Sequence, residues 1–144
     1  AAVQLLSSTP LMSPGLIAVV GLKPGEACVV ERRPNSANIR WLEGYQPLVC
    51  TNNFTDEPDE PSEFEEPSGE DGTQDLQATS CGRYRRLLHL GSQPSRGEDP
   101  DDQELLGMLT DPLVRLGITA QHVIVRPSQR TIKAWAPAHF FNSL

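Results

Sequence analysis

Apolar positions fall in short blocks separated by turn-forming residues. Ala1-Ala2-Val3-Gln4-Leu5-Leu6 combines helix formers with apolar side chains and predicts the last turns of a helix. Ser7, Ser8, Thr9 and Pro10 stop it. Residues 16–20 (Leu-Ile-Ala-Val-Val) form an apolar run, and residues 27–32 (Ala-Cys-Val-Val-Glu-Arg) form another. Lys23-Pro24-Gly25-Glu26 lies between them as a type I or type II turn, so the pair predicts a hairpin. Residues 37–42 place polar Asn38 and Arg40 between apolar neighbours, the alternation of a one-sided strand. After Glu43-Gly44, residues 47–51 (Pro-Leu-Val-Cys-Thr) predict a fourth strand, and with it an antiparallel meander.

The second half of the chain changes period. Thr79 or Ser80 is placed to cap a helix that runs to Leu90 and stops at Gly91, with Tyr84, Leu87 and Leu88 on one face. Asp99-Pro100-Asp101 opens a second helix, 102 to about 109, with acidic residues where the helix dipole favours them. Asp111-Pro112 ends it. Residues 122–126 and 131–135 are apolar runs joined by Pro127-Ser128-Gln129-Arg130, a second hairpin. Strands and helices in separate blocks predict an α+β fold with antiparallel sheet.

Charge divides the chain further. It has 144 residues and a net charge of −7, and ten of the 19 acidic residues fall within 56–75, which hold no Lys or Arg. The remainder carries 12 basic residues against 9 acidic, so the acidity belongs to one segment. That segment also holds three prolines, and residues 55–78 predict a flexible acidic insert in a single domain or domain fragment spanning 1–144. An acidic balance without a basic tract argues against nucleic acid as a partner. With no apolar run near 18 residues and no charged-then-apolar leader, neither a membrane span nor secretion is expected. Cys28, Cys50 and Cys81 are odd in number and lack zinc-type spacing. They predict free thiols in a reducing, cytoplasmic setting.

Chemistry has few candidates. There is no phosphate-binding glycine loop, no Gly-x-Ser-x-Gly and no His-Glu-x-x-His. His89, His122 and His139 are far apart, so neither a metal nor another cofactor is expected. Cys81, in the first turn of its predicted helix beside Arg83, is the one cysteine with the surroundings of a lowered pKa; a small buried residue is its plainer reading. Asn53-Phe54-Thr55 matches a glycosylation acceptor and reads as accidental in a chain without a secretory leader. Two segments stand out. Leu48-Val49-Cys50-Thr51-Asn52-Asn53-Phe54 ends an apolar run in two amides, which serve either as turn formers or as N–H donors to an oxyanion. Ser80 to Arg86 brings three arginines into four residues, a solvated face or a carboxylate clamp.

Together with Val29-Val30-Glu31-Arg32-Arg33-Pro34, these segments resemble the C-terminal half of the penicillin acyltransferase-like branch of the N-terminal-nucleophile hydrolases, related to choloylglycine hydrolases and acid ceramidase. The resemblance runs from about residue 1 to 91. It implies half of an αββα sandwich and the hydrolysis or transfer of linear amides and acyl groups. In that family an N-terminal cysteine attacks, with its own α-amino group as base. The resemblance assigns Asn52 as an oxyanion-hole donor and Arg83 as a residue that supports the active site.

Residue 1 is Ala1, not cysteine, so on this resemblance the chain is the back half of such an enzyme and is inactive alone. Its expected partners are the missing N-terminal half or a second copy in a homodimer, with a small acyl or amide substrate. The competing expectation is a non-catalytic interaction or scaffold domain that works through its acidic loop or an exposed sheet.

Overall fold

The computed structural model describes residues 1–55, 76–93, 99–116, 119 and 121–136. Residues 56–75, most of the expected acidic insert, lie outside the described residues. The fold is α+β. Helix α1 (Ala2–Ser8) leads into strands β1 (Gly15–Val20), β2 (Ala27–Arg33) and β3 (Ser36–Trp41); helices α2 (Leu76–Gly91) and α3 (Asp102–Thr110) follow, then strands β4 (His122–Arg126) and β5 (Thr131–Trp135). β1, β2 and β3 form one antiparallel sheet in sequence order, and β4 and β5 form a separate hairpin.

The first turn is type II. Glu26 N–H donates to the Lys23 carbonyl at 3.2 Å, and Gly25 takes φ +81°, which a side chain would oppose. β2 then runs up the middle of the sheet with both faces covered: Cys28, Val29, Val30, Glu31 and Arg32 are all buried. Successive residues point to opposite faces, so Arg32 and Glu31 serve different layers. On one face the Arg32 guanidinium donates to the carbonyls of Ser7, Thr9 (2.5 Å) and Ser36 (3.2 Å). α1 has no side-chain cap, and these bonds to the carbonyls at its C-terminal end help fasten it to the sheet beside the packing of half-buried Val3 and Leu6.

The other face is covered by the segment after β3. It was expected as a fourth strand over 47–51, and it is not one. Pro47 has no N–H to offer a ladder, the Val49 carbonyl accepts from Arg40 Nη2 at 2.9 Å, and Asn52 N–H donates to Ser80 Oγ at 2.7 Å. Side chains take the backbone partners that a neighbouring strand would have supplied, and the segment packs over the sheet instead of joining its edge.

α2 starts at Leu76, earlier than the expected Thr79 or Ser80, and Ser80 lies inside the helix. At the other end, Gly91 is the final residue of α2; a Cβ built there would stand 2.9 Å from Pro47 Cβ. Glycine lets the helix end and the 47–55 segment touch. α3 begins where its sequence predicts, and the structure adds a capping box: Asp101 accepts from Glu104 N–H, and Glu104 accepts from Asp101 N–H. Its first residue, Asp102, pairs with Arg126 (2.8 Å) on β4 and with Lys133 on β5, which ties the helix to the hairpin. His122 and Ile124 are the buried residues of β4.

Gly91→Ala tests the α2 contact. Overpacking typically costs about 1–3 kcal/mol, whereas the helix-propensity gain of Gly to Ala is at most about 1 kcal/mol. The net effect is therefore a lower urea midpoint; an unchanged or raised midpoint would show that Pro47 yields freely.

Candidate functional site

The site is built outward from Glu31. Its side chain is fully buried in mid-strand, where a lone carboxylate would be intolerable. Arg40 on the neighbouring strand meets it at 2.7 Å through Nε, and Asn38 Nδ2 donates at 3.2 Å. Thr55 donates twice over, through its backbone N–H (3.2 and 3.3 Å) and its hydroxyl (2.8 Å). Burial pushes the carboxyl pKa up, but the bonds from Arg40, Thr55 and Asn38 outweigh it and hold the group below its ordinary value. Glu31 is therefore an ionised anchor.

Arg40 does double duty. Its Nε holds Glu31 while its Nη2 holds the Val49 carbonyl, and its guanidinium lies 5.8 Å from the centre of the Tyr84 ring. Arg33 stands 4.4 Å from the Phe54 ring in a similar contact. Residues 49–55 are thus pinned at both ends, at Val49 by Arg40 and at Thr55 by Glu31.

The middle of the segment is pinned to α2. Ser80 is completely buried. Its hydroxyl accepts from Asn52 N–H (2.7 Å) and donates to Asn53 Oδ1 (3.0 Å), while Thr51 Oγ1 reaches both Asn53 Oδ1 (2.6 Å) and the Ser80 carbonyl (3.2 Å). One turn along α2, Arg83 Nη2 donates to Asn52 Oδ1 at 3.2 Å across 31 residues of sequence. The two residues singled out from the sequence are therefore in direct contact. Asn52 is exposed, its oxygen and its backbone N–H are both engaged by α2, and its Nδ2 hydrogens have no acceptor among the described residues.

Beside this contact lies a cavity of about 200 Å³, lined by Asn53, Thr55, Cys81, Tyr84 and Arg85. Asn53 and Tyr84, to which the resemblance assigns no role, directly follow Asn52 and Arg83 and form part of its wall. Cys81 also faces it, but in the second turn of α2 rather than the first, so it lacks the helix-terminus field that its expected position offered. Burial raises the pKa of both other thiols: Cys28 is fully buried, and at Cys50 burial and Glu31 push upward against Arg40. Neither is held as a thiolate. No group of three or more His, Cys, Asp or Glu among the described residues is arranged to hold a metal ion.

Glu31, Thr55 and the Ser80 hydroxyl organise this region, a role that sequence reasoning gave to none of them: Glu31 stood only within a resembling segment, Thr55 only in a glycosylation pattern, and Ser80 as a helix cap. A signal exists for Glu31 alone: a charged residue that follows Val29-Val30 directly, inside an apolar strand.

Arg40→Met leaves Glu31 buried without its cation and is expected to cost about 3–5 kcal/mol, as for other broken buried pairs. The pH dependence has a defined sign. A carboxyl whose folded pKa is depressed contributes stability above its unfolded pKa, about 4.3 for Glu. That contribution is lost as pH falls through the folded value. Glu31→Gln should therefore lower stability at pH 7 and flatten the acid limb of the pH–stability curve below about 4.3. Equal pH profiles for the variant and the parent would mean that Glu31 is not the ionised anchor.

No family model, no curated protein and no solved structure matches this chain, so its functional reading stands on the geometry around Asn52 and on the resemblance carried by residues 29–34, 48–54 and 80–86.

Proposed function

We propose that this chain supplies the oxyanion side of an amide hydrolase or acyltransferase of the N-terminal-nucleophile type. The observation that carries the reading is the Asn52–Arg83 contact, in which Arg83 holds the Asn52 oxygen and no described residue accepts from its Nδ2; the small cavity nearby is lined by their sequence neighbours Asn53 and Tyr84 and not by Asn52 or Arg83 themselves. Hydrolysis of an amide by a thiolate passes through a tetrahedral intermediate whose oxygen gains negative charge. A pre-oriented N–H donor stabilises that charge and spends no energy on reorganisation during the reaction. Asn52 Nδ2 has the required freedom, and Arg83 fixes the rotation of the amide that presents it.

The attacking thiol comes, on this reading, from residues other than these 144. Cys28 and Cys50 have raised thiol pKa values, and Cys81 has no histidine near it in sequence. Half of an αββα sandwich is the architecture that goes with this role. A reducing, cytoplasmic location fits three free cysteines.

The test uses the natural polypeptide that carries this chain and a panel of N-acyl amides. Asn52→Ala should lower kcat by about 10²–10³-fold, the usual effect of removing an oxyanion donor, with KM little changed. Arg83→Lys keeps the charge, loses the planar fork and should lower kcat less. Turnover that survives Asn52→Ala and disappears on Cys81→Ala would overturn the assignment and make Cys81 the nucleophile. Absence of turnover on every amide would shift weight to a non-catalytic interaction domain.

A further inference from the structure

Among the described residues β1 is an edge strand, and nothing in its sequence protects it. Natural edges are blunted with charge, proline or a bulge. β1 has none of these: its residues are Gly-Leu-Ile-Ala-Val-Val, and its pairing with β2 runs unbroken from Gly15 opposite Arg32 to Val20 opposite Ala27. The direction of its free hydrogen-bonding groups follows from the ladder. Gly21 N–H donates to the Glu26 carbonyl, so the odd-numbered residues face β2. By the alternation of antiparallel pairs, Leu16, Ala18 and Val20 turn their N–H and C=O groups outward.

Charge singles out the same region. The chain carries a net charge of −7, yet residues 1–22 contain no Asp, Glu, Lys or Arg. Several exposed apolar side chains sit in this stretch: Met12, Val20 and Leu22. Two copies that repel each other elsewhere can approach here without opposing charges.

We propose that this edge pairs with the same edge of a second copy of the chain, antiparallel across a two-fold axis through Ala18. Identical strands paired in this way are self-complementary. Ala18 of one copy faces Ala18 of the other, and Leu16 faces Val20. All three outward N–H groups and all three outward carbonyls on each copy then find partners, and two three-stranded sheets become one of six strands. The small Ala18 side chain at the axis meets its own equivalent without crowding, and the larger Leu16 and Val20 stack as cross-strand pairs on the same face. The interface is isologous, so it closes at two copies and does not propagate.

Sedimentation of the natural polypeptide, with hydrogen exchange measured over a range of concentrations, tests this. A dimer is expected at micromolar concentration, with protection of the Leu16, Ala18 and Val20 amides that rises with protein concentration. Ala18→Pro removes an N–H that points away from β2, so the sheet itself keeps its ladder; Val20→Lys adds like charge at an exposed position. Each variant should weaken the dimer by at least about tenfold, since each removes or opposes two symmetry-related contacts. Both should keep the parent circular dichroism spectrum. A monomer at 100-fold higher concentration than the assay, or a dimer insensitive to both variants, would overturn the proposal. So would protection of these amides that is independent of concentration in a monomer, which would place another strand of the same polypeptide on this edge.

Discussion

Glu31 sits in the central strand with no exposure to water, and a carboxylate in that position is stable only while donors surround it. The donors come from two places: Asn38 and Arg40 on the next strand, and Thr55 at the far end of the segment that follows. The first pair is supplied by strand register, because Glu31 lies opposite Asn38 in the β2–β3 ladder. Thr55 requires the chain to return across the sheet after β3. The buried charge therefore dictates the path of residues 47–55, and that path takes the segment away from the sheet edge and over its face.

Arg40 makes the constraint two-sided. A single guanidinium binds both Glu31 and the Val49 carbonyl, so the anion, the cation and the start of the segment are positioned together. With Val49 and Thr55 fixed, the residues between them have little freedom, and Ser80 removes what remains by binding Asn52 and Asn53. The position of Asn52 is thus a consequence of burying Glu31. This separation of roles suits a polar site: the groups that hold the segment are buried, and the group left exposed is the one with unused donors.

Much of the fold was legible in the sequence because its signals are local. The Pro24-Gly25 turn, the alternation over residues 37–42, the Asp99-Pro100-Asp101 helix start and the hairpin around Pro127 each lie within a few residues of what they specify. What was not legible depends on partners far apart in the chain. Residues 47–51 have the apolar run of a strand, and the deciding fact, that Arg40 and Ser80 take their backbone partners, is tertiary. Ser80 reads as a cap because caps and buried helix serines share a residue type, and the earlier start at Leu76 follows residues with little helical periodicity. The contact between Asn52 and Arg83 was accessible through resemblance, since no local pattern joins residues 31 apart.

The choice of an arginine at position 83 has a physical consequence for the amide it holds. A hydrogen bond from a guanidinium to Asn52 Oδ1 is charge-assisted and draws electron density toward the oxygen. The amide nitrogen is conjugated with that oxygen, so the same bond makes the Nδ2 hydrogens more positive and better donors. A neutral donor at the same distance would fix the amide's rotation equally well but polarise it less. Hydrogen bonds in series strengthen one another where water is excluded, and Asn52 is exposed in the chain as it stands. The gain from Arg83 is therefore largest when a ligand, or another part of the protein, covers Asn52 and removes the water. The geometry of that amide is set in advance by Glu31 and Ser80.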